Sequence, residues 1–199
     1  MLSEKLVAMS EDAVTVESHF LRFAEAKIRQ QTQRILQTIP VLPDEVFWHA
    51  PNDASNSVAQ LLLHLAGNVR QWIMHGVGGE VDRRDRDAEF AADETGPKSR
   101  HQVEAEFSKT VEEALVLLSE LPEIRLAETI RPQGYTLSVL EAIFHVTEHF
   151  SYHAGQVFLL VKLHSQTNLD FYRHLDKSNK THNEHIPQFV SNKNFNFGR

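Results

Sequence analysis

Three times the sequence sets a serine three residues ahead of a glutamine or glutamate at the head of an apolar-periodic stretch: Ser57 with Gln60, Ser99 with Gln102, and Ser138 with Glu141. In this arrangement the serine hydroxyl accepts from the backbone N–H three residues on, while the longer side chain reaches back to the serine N–H. Two donors that a helix start leaves open are thereby satisfied. The spacing predicts helices from Ser57 to about Met74, from Ser99 to Leu121 and from Ser138, or Thr136, to about Leu163 or His164. An earlier helix is expected from Ser10 or Asp12 to Thr38, where Val14, Phe20, Phe23, Ala24, Ile28, Ile35 and Ile39 recur at three- and four-residue steps before Pro40 and Pro43 stop it. Four helices of similar length joined by non-helical connectors, with no convincing alternating strand pattern, predict an all-α four-helix bundle.

A chain of 199 residues suits one such domain. The bundle is expected over 1–175, and the Asn- and Lys-rich remainder, 176–199, as a polar C-terminal tail; beyond His164 the chain is expected either to pack in extended form, held by Phe171, Tyr172, Phe189 and Phe195, or to be partly disordered. The net charge is −7 and the 20 Lys and Arg are scattered, which argues against nucleic acid as a partner. Cysteine is absent, so thiolate ligands and cysteine nucleophiles are excluded, and a reducing cytoplasm is the expected setting. The first residues, MLSEKLVAMSEDAV, do not read as a secretory signal, and no segment approaches the roughly 20 apolar residues of a membrane span.

The last helix carries the chemistry. Its stretch HVTEHFSYHAGQ places His145, His149 and His153 one turn apart on one stripe with Ala142 and Gln156. Two histidines at i and i+4 stand about 6 Å apart along the axis and can clamp one metal. His145 and His153 are two turns apart, about 12 Å, so only one adjacent pair is expected to ligate, with His149 common to both choices. The second helix offers a third ligand on a polar band of Ser57, Gln60, His64, Asn68, Gln71 and His75. His64, near mid-helix, would meet the histidine stripe if the two helices pack together; His75 is expected beyond the helix end. The alternative is that this band faces water.

Taken together, NSVAQLLLHLAGNVRQWI, RRDRDAEF and TLSVLEAIFHVTEHFSYHAGQVFLL resemble the DinB-like superfamily, which includes the YfiT-type metal-dependent hydrolases and the bacillithiol- and mycothiol-dependent enzymes. The resemblance spans roughly residues 20 to 175. It implies an up-down-down-up bundle around a divalent metal held by His64, His149 and His153, with His145 left as a pocket residue. The metal is expected to be zinc or nickel, with iron or manganese next. It further implies a small-molecule substrate, a low-molecular-weight thiol as cosubstrate, and a homodimer. RRDRDAEF reads by itself as a solvated, self-neutralising loop; the resemblance makes Arg86 a candidate for gripping a substrate carboxylate.

Three histidines with open coordination positions could lower the pKa of bound water, hold a thiol as thiolate, or polarise an electrophile, which suits thiol transfer or hydrolysis. Hydrolysis needs a proton acceptor, for which His145 and the less well placed Glu148 are the candidates, Glu148 being better suited to the surface or to orienting a histidine. Asn68 and Gln156 fall on the two histidine bands and could bond ligands or substrate. The rival expectation is a non-catalytic, metal-stabilised binding protein of the stress response, since neither acid–base candidate is well placed.

Overall fold

The structure, a computed structural model, describes residues 15–172. The expected starts Ser10 and Asp12, the anchors Phe189 and Phe195, and the tail 176–199 lie outside the described residues. Four long helices form the framework: α1 (Val16–Thr38), α3 (Val58–Val69), α5 (Arg100–Ser119) and α6 (Val139–Ser165). Two short ones, α2 (Asp44–Trp48) and α4 (Arg86–Phe90), sit in the connectors. All three serine capping boxes form as the spacing predicts, each with both reciprocal hydrogen bonds. The unit that contains the helices ends at Asn168.

α1 and α3 each pack against both α5 and α6. The apolar stripes meet in a core that includes Ile35, Leu61, Leu65, Phe107, Leu118, Ile143 and Phe150, all at or below 1 % exposure. Each such side chain contributes about 1.5–3 kcal/mol by leaving water. Phe107 of α5 stacks on Phe150 of α6 with ring centroids 5.8 Å apart, locking the diagonal of the bundle. Arg100, at the start of α5, donates to the carbonyls of Ile39 and Leu42 at 2.8 and 2.7 Å, pinning the turn that leaves α1.

Three features depart from the expected connectors. α3 does not end at Met74: it continues through Val77 as a π-helical segment, Arg70–Val77. The wider turn carries His75 on the helix, where its Nδ1 lies 2.6 Å from the Glu80 carbonyl. The RRDRDAEF stretch is not a free loop, because Asp85 caps α4 by accepting from the Ala88 N–H. Finally, the connector before α6 contains a two-residue antiparallel ladder, β1 (Thr129–Ile130) with β2 (Leu137–Ser138). Strands this short show no alternation to read. The ladder ties the turn that carries Gln133 and Tyr135 to the first residue of α6.

Candidate metal centre

Mid-helix packing of α3 on α6 brings His64, His149 and His153 together, with one ring nitrogen from each within 4.8 Å of the others. His64 and His153 are buried and His149 is half-buried. The Nε2 atoms of His64 and His149 are 3.0 Å apart. Two metal–nitrogen bonds of about 2.0–2.1 Å at a tetrahedral angle would hold their nitrogens about 3.3 Å apart, so a small ring adjustment admits a cation.

The tautomers favour this use. His64 Nδ1 lies 3.0 Å from Glu89 Oε2, and a carboxylate can only accept, so Nδ1 carries the proton and Nε2 keeps its lone pair. His153 Nδ1 donates in the same way to Gln156 Oε1 at 2.7 Å, freeing its Nε2. Gln156 therefore orients a histidine, one of the two roles open to it in sequence. Burial, reinforced by the neighbouring histidines and Arg84, pushes His149 down to about 3. Burial also lowers His153, against the hydrogen bond it donates to Gln156. Both rings are neutral near pH 7, the form a metal requires.

Behind His64 lies an ion pair that sequence reasoning missed. Arg84 Nε and Nη2 donate to the two Glu89 oxygens at 2.7 and 2.9 Å, with the Arg84 and Glu89 side chains only 4 % and 9 % exposed. Burial works to raise the Glu89 pKa, but hydrogen bonds from Arg84 and His64 and the Arg84 charge outweigh it and hold the carboxyl below its ordinary range. Arg84 Nη2 also approaches His64 Nδ1 to 3.1 Å; both atoms carry hydrogens, and the carboxylate is their common acceptor. Glu89 approaches so closely because position 67 is glycine: a Cβ there would fall 1.9 Å from Glu89 Oε1. A glycine inside a Leu- and Ala-rich helix, three residues after His64, was the available sequence signal for this close approach.

An open cleft of about 460 Å³ adjoins the histidines, lined by His64, His149, His145, Asn68, Trp72 and the two arginines Arg84 and Arg86, with Gln133 to Leu137 closing one side. Among the described residues no carboxylate lines it. His145 stands outside the three-histidine group, its ring 4.2 Å from Trp72 and 5.5 Å from His149. Burial lowers its pKa, against the charge of Glu148. Glu148 is exposed and does not line the cleft. Arg86 is exposed, with its guanidinium 4.8 Å over the Phe90 ring.

The π-helical turn adds Gln71, which donates to Asp82 at 2.7 Å and accepts from Arg84 at 3.0 Å and from Gln133. Gln133 adopts φ 51, a left-handed conformation that costs a non-glycine residue about 1–2 kcal/mol. Its bond to Gln71 helps offset that strain. Asn68 Oδ1 and Trp72 Nε1 are buried without a protein partner, a state that costs about 1–3 kcal/mol per group unless something else bonds them.

Solved structures share this fold. A conserved protein from Enterococcus faecalis aligns over 78 % of this chain and 100 % of its own, with a TM-score of 0.62 at 14 % identity. Two DinB-like proteins align with TM-scores of 0.52: one from Bacillus cereus, at 17 % identity over 67 % of this chain and 85 % of its own, and one from Bacillus subtilis, at 18 % identity over 78 % and 96 %. At such identities the likeness establishes the DinB-like fold. No curated protein matches. The family described as "Protein of unknown function (DUF1572)" matches residues 15–173, which span all six helices and every residue of the histidine cluster, and the chain belongs to that family.

Proposed function

We propose that the protein is a divalent-metal enzyme in which His64, His149 and His153 hold the ion and an anionic small molecule binds in the adjoining cleft, undergoing low-molecular-weight thiol transfer or hydrolysis. The observation that carries this reading is the convergence of the three rings, with the Nδ1 atoms of His64 and His153 already engaged by Glu89 and Gln156, on the wall of an open cleft. A bound divalent ion would supply Lewis acidity there. Zinc or nickel suits the all-imidazole set best, followed by iron or manganese.

The chain's own residues define the remaining roles. Glu89 and Arg84 fix the His64 ring, a form of support whose loss typically costs 10–100-fold in metal affinity. Arg86, at the cleft edge and in no ion pair among the described residues, offers a two-pronged donor to a substrate carboxylate. Its position and the lack of carboxylates in the lining favour an anion. His145 is the cleft residue able to accept a proton at neutral pH; Glu148, exposed and outside the cleft lining, acts on it only through its charge. That no described carboxylate lines the cleft also favours a second reading, a metal-stabilised binding protein without turnover. No described helix is long and apolar enough to cross a membrane, and the lack of cysteine suits a cytoplasmic setting.

Zinc-loaded and chelator-treated protein, assayed against a panel of thiol–electrophile pairs and of small carboxylate esters and amides, tests the proposal. Metal-dependent turnover of one class is expected. Binding of panel members with no turnover under any metal would establish the non-catalytic reading.

A further inference from the structure

We infer that the cleft contains a subsite for a secondary amide, formed by Trp72 and Asn68, so that the molecule it takes is an N-acylated or peptide-linked carboxylate. This deepens the proposed function and rests on that reading for its location beside the histidines.

Asn68 and Trp72 are 3 % and 5 % exposed and both line the cleft, yet Asn68 Oδ1 and Trp72 Nε1 have no hydrogen-bond partner among the described residues. Among the described residues one other buried side-chain atom shares this condition, Gln31 Oε1 on α1, which does not line the cleft. The two orphaned groups thus concentrate where a ligand would lie. The Trp72 ring is held between His145, at 4.2 Å, and Tyr135, at 6.1 Å, which opposes any swing of the indole N–H toward a protein acceptor.

The chemistry of the pair narrows the ligand. An indole N–H only donates, and Asn68, oriented with Oδ1 inward, accepts there, so the ligand group that satisfies both in this orientation must accept and donate. A carboxylate or ester offers no donor, and an ammonium offers no acceptor. The two residues are also one helical turn apart, about 6 Å along the axis. A trans amide, whose C=O and N–H point in opposite directions, bridges such a separation better than the single oxygen of a hydroxyl. Arg86, at the edge of the same cleft, is placed for the anionic end.

N-acetylglycine and acetoxyacetate test this directly, since they differ only by N–H against O. Binding is followed by the indole N–H resonance in Trp48→Phe protein, which retains Trp72 as its single tryptophan. N-acetylglycine should move that resonance downfield and bind about tenfold tighter than the ester, because the ester leaves Asn68 unpaired. Asn68→Ala should erase the preference, and Trp72→Phe, which keeps an aromatic ring but removes the donor, should weaken N-acetylglycine to the level of the ester. Equal binding of the two probes, or an unmoved resonance at saturation, would overturn the subsite. The same comparison in zinc-free protein separates the two proposals. The amide preference should persist there, whereas failure of the wild-type protein to take up zinc would count against the metal reading alone.

Discussion

Gly67→Ala is a substitution whose sign depends on the Glu89–Arg84–His64 network. In the middle of α3, alanine should stabilise the helix by about 1 kcal/mol over glycine. The structure reverses that expectation. The new Cβ would lie 1.9 Å from Glu89 Oε1 and 2.7 Å from its carboxyl carbon, where real Cβ contacts essentially never fall below 3.0 Å. The carboxylate must therefore retreat by about 1 Å. Its bonds at 2.7 and 2.9 Å to Arg84 and 3.0 Å to His64 would then stretch beyond hydrogen-bond range unless both partners follow. Hydrogen bonds to charged groups contribute about 1.5–3 kcal/mol each, and a buried charge deprived of its partner costs more. Partial relaxation and the helix gain leave a net loss of about 2–4 kcal/mol. For a chain of this length that lowers the melting temperature by about 5–15 °C. Thermal unfolding of metal-free protein, followed by circular dichroism, measures it, and zinc affinity should fall about 10–100-fold in the same variant. An unchanged or raised melting temperature would show that Glu89 can be displaced at no cost, refuting its assignment as the support of His64.

Other expectations follow from the same geometry. Glu89→Gln removes the charge while keeping the shape, leaves Arg84 buried beside a neutral amide, and should destabilise the fold by about 3–5 kcal/mol in denaturant titration; a loss below 1 kcal/mol would show that the pair is well solvated. Acidification should weaken the metal-free protein in two stages. His149, held near 3 in the fold against an ordinary 6.5, binds its proton more readily when unfolded, so stability falls as the pH drops from about 6.5 toward 3. Glu89, whose folded pKa is depressed, adds a further loss below its ordinary 4.5. A melting temperature flat from pH 7 to pH 4 would contradict this. Chelation should lower the melting temperature and leave the helical circular dichroism intact at 25 °C, because the caps and the apolar core exist without metal; complete loss of helicity would make the metal a folding requirement.

The framework was legible because it is written in local signals. Capping boxes and apolar period depend on residues a few positions apart, and they located α3, α5 and α6 to within a few residues. The histidine stripe was legible for the same reason, since i, i+4 spacing on one helix fixes proximity. Choosing between His145 and His153 required the partner helix: packing against α3 sets His64 opposite His149 and His153, while His145 meets Trp72. The buried ion pair was not legible. Arg84 and Glu89 lie among charges of both signs in RRDRDAEF, and nothing local distinguishes the buried arginine from exposed Arg86; only the approach of the pair to Gly67, 17 residues before Arg84, does so. The π-helical turn was likewise hidden, because its apolar residues read as ordinary helix, and Gln71 enters the cleft network through contacts with Asp82, Arg84 and Gln133 that are distant in sequence.

The central claim, that His64, His149 and His153 hold one divalent ion, is tested most directly by the metal content of protein purified without a nickel column, compared with that of its single alanine variants. One equivalent per chain in the wild type and in His145→Ala, with sharp loss in His64→Ala, His149→Ala and His153→Ala, is the predicted result. Metal lost in His145→Ala and kept in His153→Ala would contradict it, as would full occupancy in both His149→Ala and His153→Ala.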